Sequence, residues 1–117
     1  MPGLPTSSEL TAEILREPDG VRLLLGGELD MNGVIDTERA VHEASAIAER
    51  RLTIDLGQLK FMDLFGARAL LRVADEANKP GREVVIVNPR RHVRRLFELI
   101  TDLAPGRSLV AELVRQD

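Results

Sequence analysis

The residues of this chain with most chemical potential are three aspartates, two histidines and a run of arginines. Asp30, Asp55 and Asp63 each stand in or just after an apolar, alternating stretch. Carboxylates gathered at strand ends can hold a divalent cation and accept a phosphoryl group, which would make the chain a phospho-receiver. Against that, Asp55 falls inside its stretch, and no Lys follows the fourth such stretch. His42 and His92 both fall on polar faces of helical patterns, so solvated rings are the expectation. They lack the spacing of a metal motif, and a chain with no cysteine has neither thiolate sites nor disulfides. No metal or cofactor is expected. No GxSxG elbow, Walker-type loop or Gly-rich dinucleotide fingerprint occurs. Asp63 offers a different chemistry. It closes the stretch LTIDLGQLKFMD and precedes Leu64 and Phe65, where a helix N-cap belongs. A carboxylate there accepts orphan backbone N–H groups and meets the positive end of the helix dipole. The same acid, facing outward, can accept hydrogen bonds across an interface.

Arg90, Arg91, Arg94 and Arg95, with His92, make one helical segment strongly basic. Their i, i+4 spacing stacks like charges on each other. Such a run is ordinarily a solvated face. Cations near a helix N-terminus are mildly unfavourable, so a compensating acid or anion is expected, and an acidic partner fits. Nucleic acid fits poorly, because the net charge is −3 and the chain has three Phe but no Trp or Tyr for base stacking.

Strands and helices must position these groups. Glu9 to Glu17 forms a first strand, with Leu10, Ala12 and Ile14 inward, and Pro18-Asp19-Gly20 turns it into a second, Val21 to Leu29. Gly26-Gly27 marks a bulge or a close backbone approach. A helix begins between Asn32 and Thr37 and runs to about Arg50, with Val34, Val41, Ala44 and Ala48 on one face. Residues 51–57 alternate as a third strand, and a short connection leads to a helix from about Leu64 to Asn78, stopped by Asn78-Lys79-Pro80-Gly81. Arg82 to Asn88 is a fourth strand, whose unbroken apolar run Val84–Val87 implies cover on both faces. Asn88-Pro89 then caps a third helix, with the proline in its first turn and Val93, Leu96, Phe97 and Ile100 inward. Pro105-Gly106 breaks the chain, and residues 108–115 read as a short helix or an edge element.

The order ββαβαβα implies a small mixed sheet of four to five strands flanked by helices, with right-handed crossovers. Three strand-to-helix junctions, Asp30–Gly33, Gly57–Phe65 and Asn88–Arg91, are then expected along one sheet edge, where α/β sheets bind their ligands. At 117 residues, 44% hydrophobic and 30% charged, the chain reads as one soluble domain, 9–117, behind a flexible N-terminus, 1–8. MPGLPTSSEL shows no basic region followed by an apolar run, and no stretch approaches membrane-span length, so a cytoplasmic, non-membrane protein is expected.

The pieces GGELD (26–30), LTIDLGQLKFMD (52–63), Gly66 with ADEANKPG (74–81), and VVIVNPRRHVRRLFELI (84–100) resemble, in order and spacing, the STAS domains of anti-sigma factor antagonists. The resemblance covers about residues 10 to 104. It implies a non-catalytic binding module that docks on an anti-sigma factor, often a serine kinase with a histidine-kinase-like ATPase fold. It also implies a phosphoacceptor Ser directly after the Asp of the third piece. Here that place is Leu64, which has no hydroxyl, and Phe65 and Gly66 offer none either. The nearest hydroxyls are Thr53, inside the third strand, and Thr101, expected beyond the third helix.

The expected partner-binding residues are therefore Asp30, Asn32, Asp63, Leu64, Phe65, Gly66 and Arg68, without phosphorylation at Leu64. Leu64 is expected to be accessible and Phe65 to fold inward. Asn32 serves first as helix-cap chemistry. A diverged scaffold or sensor for some other complex is the alternative function. Homo-oligomerisation through the first strand or the Leu64–Phe65 region is a further possibility, since edge strands invite pairing.

Overall fold

The computed structural model describes residues 9–103 and 114–115. The 1–8 segment, the Pro105-Gly106 break and most of 108–115 lie outside the described residues. Strand β1 (Leu10–Glu17) turns at Pro18-Asp19 into β2 (Gly20–Leu29), and the two pair antiparallel. A single 3-10 turn, Met31–Gly33, leads into helix α1 (Val34–Ile47). Then follow β3 (Arg51–Met62), α2 (Leu64–Ala77), β4 (Glu83–Val87), α3 (Arg91–Leu103) and β5 (Val114–Arg115). The sheet order is β1-β2-β3-β4-β5, parallel from β2 onward. The end of the 108–115 segment is thus an edge strand.

The alternation in β2 and β3 sends Val21, Leu23, Leu25, Leu52, Ile54 and Leu56 into the core with Val84 and Ile86. All four of Val84–Val87 are buried, as the apolar run requires. Helices α1 and α2 cover this face with small side chains, among them Ala40, Ala44, Ala67, Ala74 and Ala77, and Arg72 of α2 pairs with Glu38 of α1 at the rim. On the edge strand β1 only Leu10 and Ile14 pack on the core, while Ala12 is exposed.

Strand β3 is longer than its alternation predicts. The expected break after Gly57 does not occur. Bulges between Leu24 and Gly26 and between Gly27 and Glu28 shift the register, so Gly26, Gly27, Glu28 and Leu29 pair with Gln58, Leu59, Phe61 and Met62. On the facing strand Gly27 adopts φ 79, a region open chiefly to glycine, and a Cβ there would collide with the Glu9 carbonyl beside β1. A bulge also hides a strand from sequence reading, because it resets the inside–outside alternation.

The start of α3 differs too. Asn88 adopts φ 60, so it turns the chain rather than capping the helix, and Pro89 precedes the first turn. Thr101 lies within α3, not beyond it. A second pairing was invisible in the sequence. Arg22 bridges Asp55 at 2.6 Å and Glu17 at 2.8 Å, and Asp55 also accepts the Gly57 N–H. Glu17, with Asp55 beside it, holds the Arg22 guanidinium above its ordinary pKa.

One buried group has a measurable consequence. Thr37 of α1 is fully buried, and its hydroxyl has no hydrogen-bond partner among the described residues. Thr37→Val keeps the shape and removes an unsatisfied group, so it is expected to raise unfolding free energy by about 1 kcal/mol. Urea denaturation checks this; a midpoint below wild type would reveal a partner for the hydroxyl.

Candidate functional site

The site is built where β2 and β3 end together, with Leu29 opposite Met62. After Leu29, Asp30 turns the chain by accepting the Asn32 N–H at 2.9 Å. After Met62, Asp63 caps α2 by accepting the Gly66 N–H at 2.8 Å, and its own N–H donates to the Leu29 carbonyl at 3.1 Å. Asp63 supplies the expected cap of α2, whereas at the first corner Asp30 caps the 3-10 turn and Gly33 stands at the N-cap of α1 without a side-chain hydrogen bond, so the cap role expected of Asn32 is not formed. The second carboxylate oxygen of Asp63 is left without a protein partner among the described residues and reaches the half-exposed rim. The corners are locked together by Gly66. A Cβ on this buried residue would stand 2.8 Å from Leu29 Cγ and closer still to the Leu29 carbonyl oxygen. Only glycine lets α2 approach β2 this closely.

Around the locked corners stand large exposed apolar side chains. Met31, Ile35 and Phe65 are 62%, 65% and 60% exposed. Phe61, at the end of β3, is also exposed. The expectation for the two residues after Asp63 is reversed. Leu64 is half-buried and packs against the core, whereas Phe65 projects outward. Successive helix residues point about 100° apart, and the rotation of α2 puts Leu64 at the edge of its buried face and Phe65 beyond it. The sequence reading had no means to find Met31 and Ile35, because their exposure depends on how α1 sits on the sheet. Asn32 and Arg68 are exposed at the same corner, and Arg68 has no ion pair among the described residues.

The three junctions are not level. Strand β4 ends with Val87 opposite Asp55, well short of Met62. The third junction therefore lies beside the middle of β3. There Arg90 Nε donates to the Gly57 carbonyl at 3.1 Å, and His92 Nε2 meets the Lys60 carbonyl at 2.7 Å. These two side chains occupy carbonyls that β4 leaves free, so His92 is not simply solvated. The Asp30, Asp55 and Asp63 cluster is not formed either: Asp55 is bound to Arg22, half a strand away from the other two. Among the described residues no three His, Cys, Asp or Glu side chains gather as a metal site. No helix among them is long and apolar enough to cross a membrane.

A mostly parallel sheet, with α2 capped by Asp63 and exposed apolar side chains near the ends of β2 and β3, defines a small α/β domain. The chain belongs to the STAS domain family: the family model described as "Mlab, STAS domain" matches residues 13–101. It is 31% identical over 75 residues to BtrV of Bordetella bronchiseptica, a protein named for an anti-sigma factor antagonist role. That match spans 59% of this chain and 65% of BtrV. Its fold is shared with an anti-sigma factor antagonist from Mycobacterium paratuberculosis (TM-score 0.63, 23% identity, 93% of this chain and 97% of that one). It is shared likewise with the phosphorylated form of the Bacillus cell fate determinant SpoIIAA (TM-score 0.62, 19% identity, 92% and 90%).

Proposed function

We propose that this chain is a non-catalytic cytoplasmic binding module that docks on an anti-sigma factor, or on a serine kinase with a histidine-kinase-like ATPase fold, through the Asp30 and Asp63 corners. The observation that carries it is the outward Phe65, on a corner locked by Gly66, with Met31 and Ile35 exposed after the neighbouring strand end. Exposed aromatic and aliphatic anchors with a polar rim are what protein interfaces use. Asp30, Asn32, Asp63 and Arg68 supply that rim. Leu64 contributes by packing α2 against the core rather than by contact with a partner. Since Leu64 carries no hydroxyl, docking in this reading is not switched by phosphorylation there.

Affinity capture with the full chain, run beside Phe65→Asp, tests this. An anti-sigma factor or such a kinase, retained by wild type and lost by the variant, is the expected result. A protein of another class retained in the same Phe65-dependent way would replace this reading with a second, a diverged scaffold in a different complex. Loss of binding by dilution into homo-oligomers is checked by light scattering.

Leu64→Ser is expected to create a phosphoacceptor at the N-terminus of α2, where free N–H groups favour a phosphate. Because Leu64 packs on the core, the variant is also expected to lose about 1–2 kcal/mol of stability. Incubation with the captured kinase and ATP, read by intact mass, should show one phosphate gained by the variant and none by wild type. No gain in the variant would mean that the corner does not enter a kinase active site.

A further inference from the structure

The basic face at the start of α3 is left over from the corner reading. Lys60, Arg90, Arg91, His92 and Arg95 are exposed and Arg94 is half-buried. Neither Lys60 nor any of these four arginines has a carboxylate within ion-pair distance among the described residues, whereas Arg22, Arg39, Arg51 and Arg72 all do. The first turn of a helix is where its own dipole opposes positive charge, and like charges at i, i+4 oppose it further. The chain therefore gathers cations where its fold disfavours them. Two of the side chains are held in place: Arg90 by the Gly57 carbonyl and His92 by the Lys60 carbonyl. The face is thus pre-organised, which lowers the cost of binding.

We propose that this face is a second docking surface, taking an acidic segment of a partner protein. Charge complementarity selects the occupant. The five Lys and Arg residues of the patch leave 11 others against 19 Asp and Glu in the chain. Everything beyond the patch is therefore strongly acidic and repels a long polyanion such as duplex DNA or a charged bilayer. A short acidic segment meets only the patch. Exposed Leu99, one turn beyond Arg95 on α3, adds an apolar contact that an acidic peptide with hydrophobic residues can use and a phosphate backbone cannot. Binding here does not require the Phe65 corner.

The test uses the full chain and a labelled peptide of alternating Glu and Leu, with duplex DNA and phosphatidylglycerol vesicles as competing probes. Fluorescence anisotropy at low and physiological salt is expected to show saturable peptide binding that weakens as salt screens the charges. The double variant Arg91→Glu, Arg95→Glu is expected to weaken it at least tenfold. Both positions are exposed, the acid at 91 suits the first turn, and the i, i+4 like-charge pair is only reversed in sign, so the thermal midpoint should hold. Phe65→Asp is expected to leave peptide affinity within twofold, which separates this surface from the corner. No peptide binding at low salt, an unchanged affinity in the double variant, or tighter binding of DNA or vesicles than of peptide would each overturn the proposal.

Discussion

Gly66→Ala is expected to lower unfolding free energy by about 1–2 kcal/mol, although alanine is the better helix former. In an exposed helix interior this exchange would stabilise by about 1 kcal/mol. Here the new methyl group would stand 2.8 Å from Leu29 Cγ and nearer still to the Leu29 carbonyl oxygen. That oxygen cannot step aside, because it accepts the Asp63 N–H and belongs to the end of a paired strand. Relief must come from moving the first turn of α2 away from β2, which also strains the Asp63 cap on Gly66. Overpacking of this kind costs about 1–3 kcal/mol and must first cancel the helical gain. For a domain of this size the thermal midpoint should fall by about 10 °C. Equal or greater stability in a thermal melt would mean that α2 does not lie on Leu29 as described.

Phe65→Asp is expected to do the opposite: to leave stability unchanged or slightly raised while removing partner binding by about 30-fold or more. The ring is mostly exposed, so its loss opens no cavity. An acid in the first helical turn is favoured by the dipole by about 0.3–1 kcal/mol. At the interface the same change deletes an aromatic anchor and places a charge against an apolar surface, and anchors of this kind contribute about 2 kcal/mol or more. Leu64→Asp is the matched comparison. It puts a charge on a side chain packed against the core, so it should cost stability. Paired melts and binding titrations therefore distinguish the outward residue from the inward one. A destabilised Phe65→Asp that still binds would invert the assignment of the two positions.

Much of this architecture was legible in the residues. The order ββαβαβα, the turn at Pro18-Asp19, the glycine bulge, the Asp63 cap and the stop after Ala77 were all readable, and the structure has each of them. Each rests on local chemistry: a period, a left-handed glycine, a carboxylate beside free N–H groups. The misreadings share one cause. The extra length of β3 was hidden because a bulge changes the side-chain phase, and the Arg22–Asp55 bridge joins residues far apart in the chain. Arg90 and His92 looked like plain solvated residues until β4 proved too short to cover β3.

The sequence by itself determined the elements, the family resemblance and the lack of a hydroxyl at position 64. Only the tertiary structure decided which of Leu64 and Phe65 points outward. That choice depends on the rotation of α2 about its axis, and the rotation is set by the contact of Gly66 with Leu29, across 37 residues of chain. Local patterns fix what a segment becomes; the phase in which it meets its neighbours is fixed by close packing between distant residues.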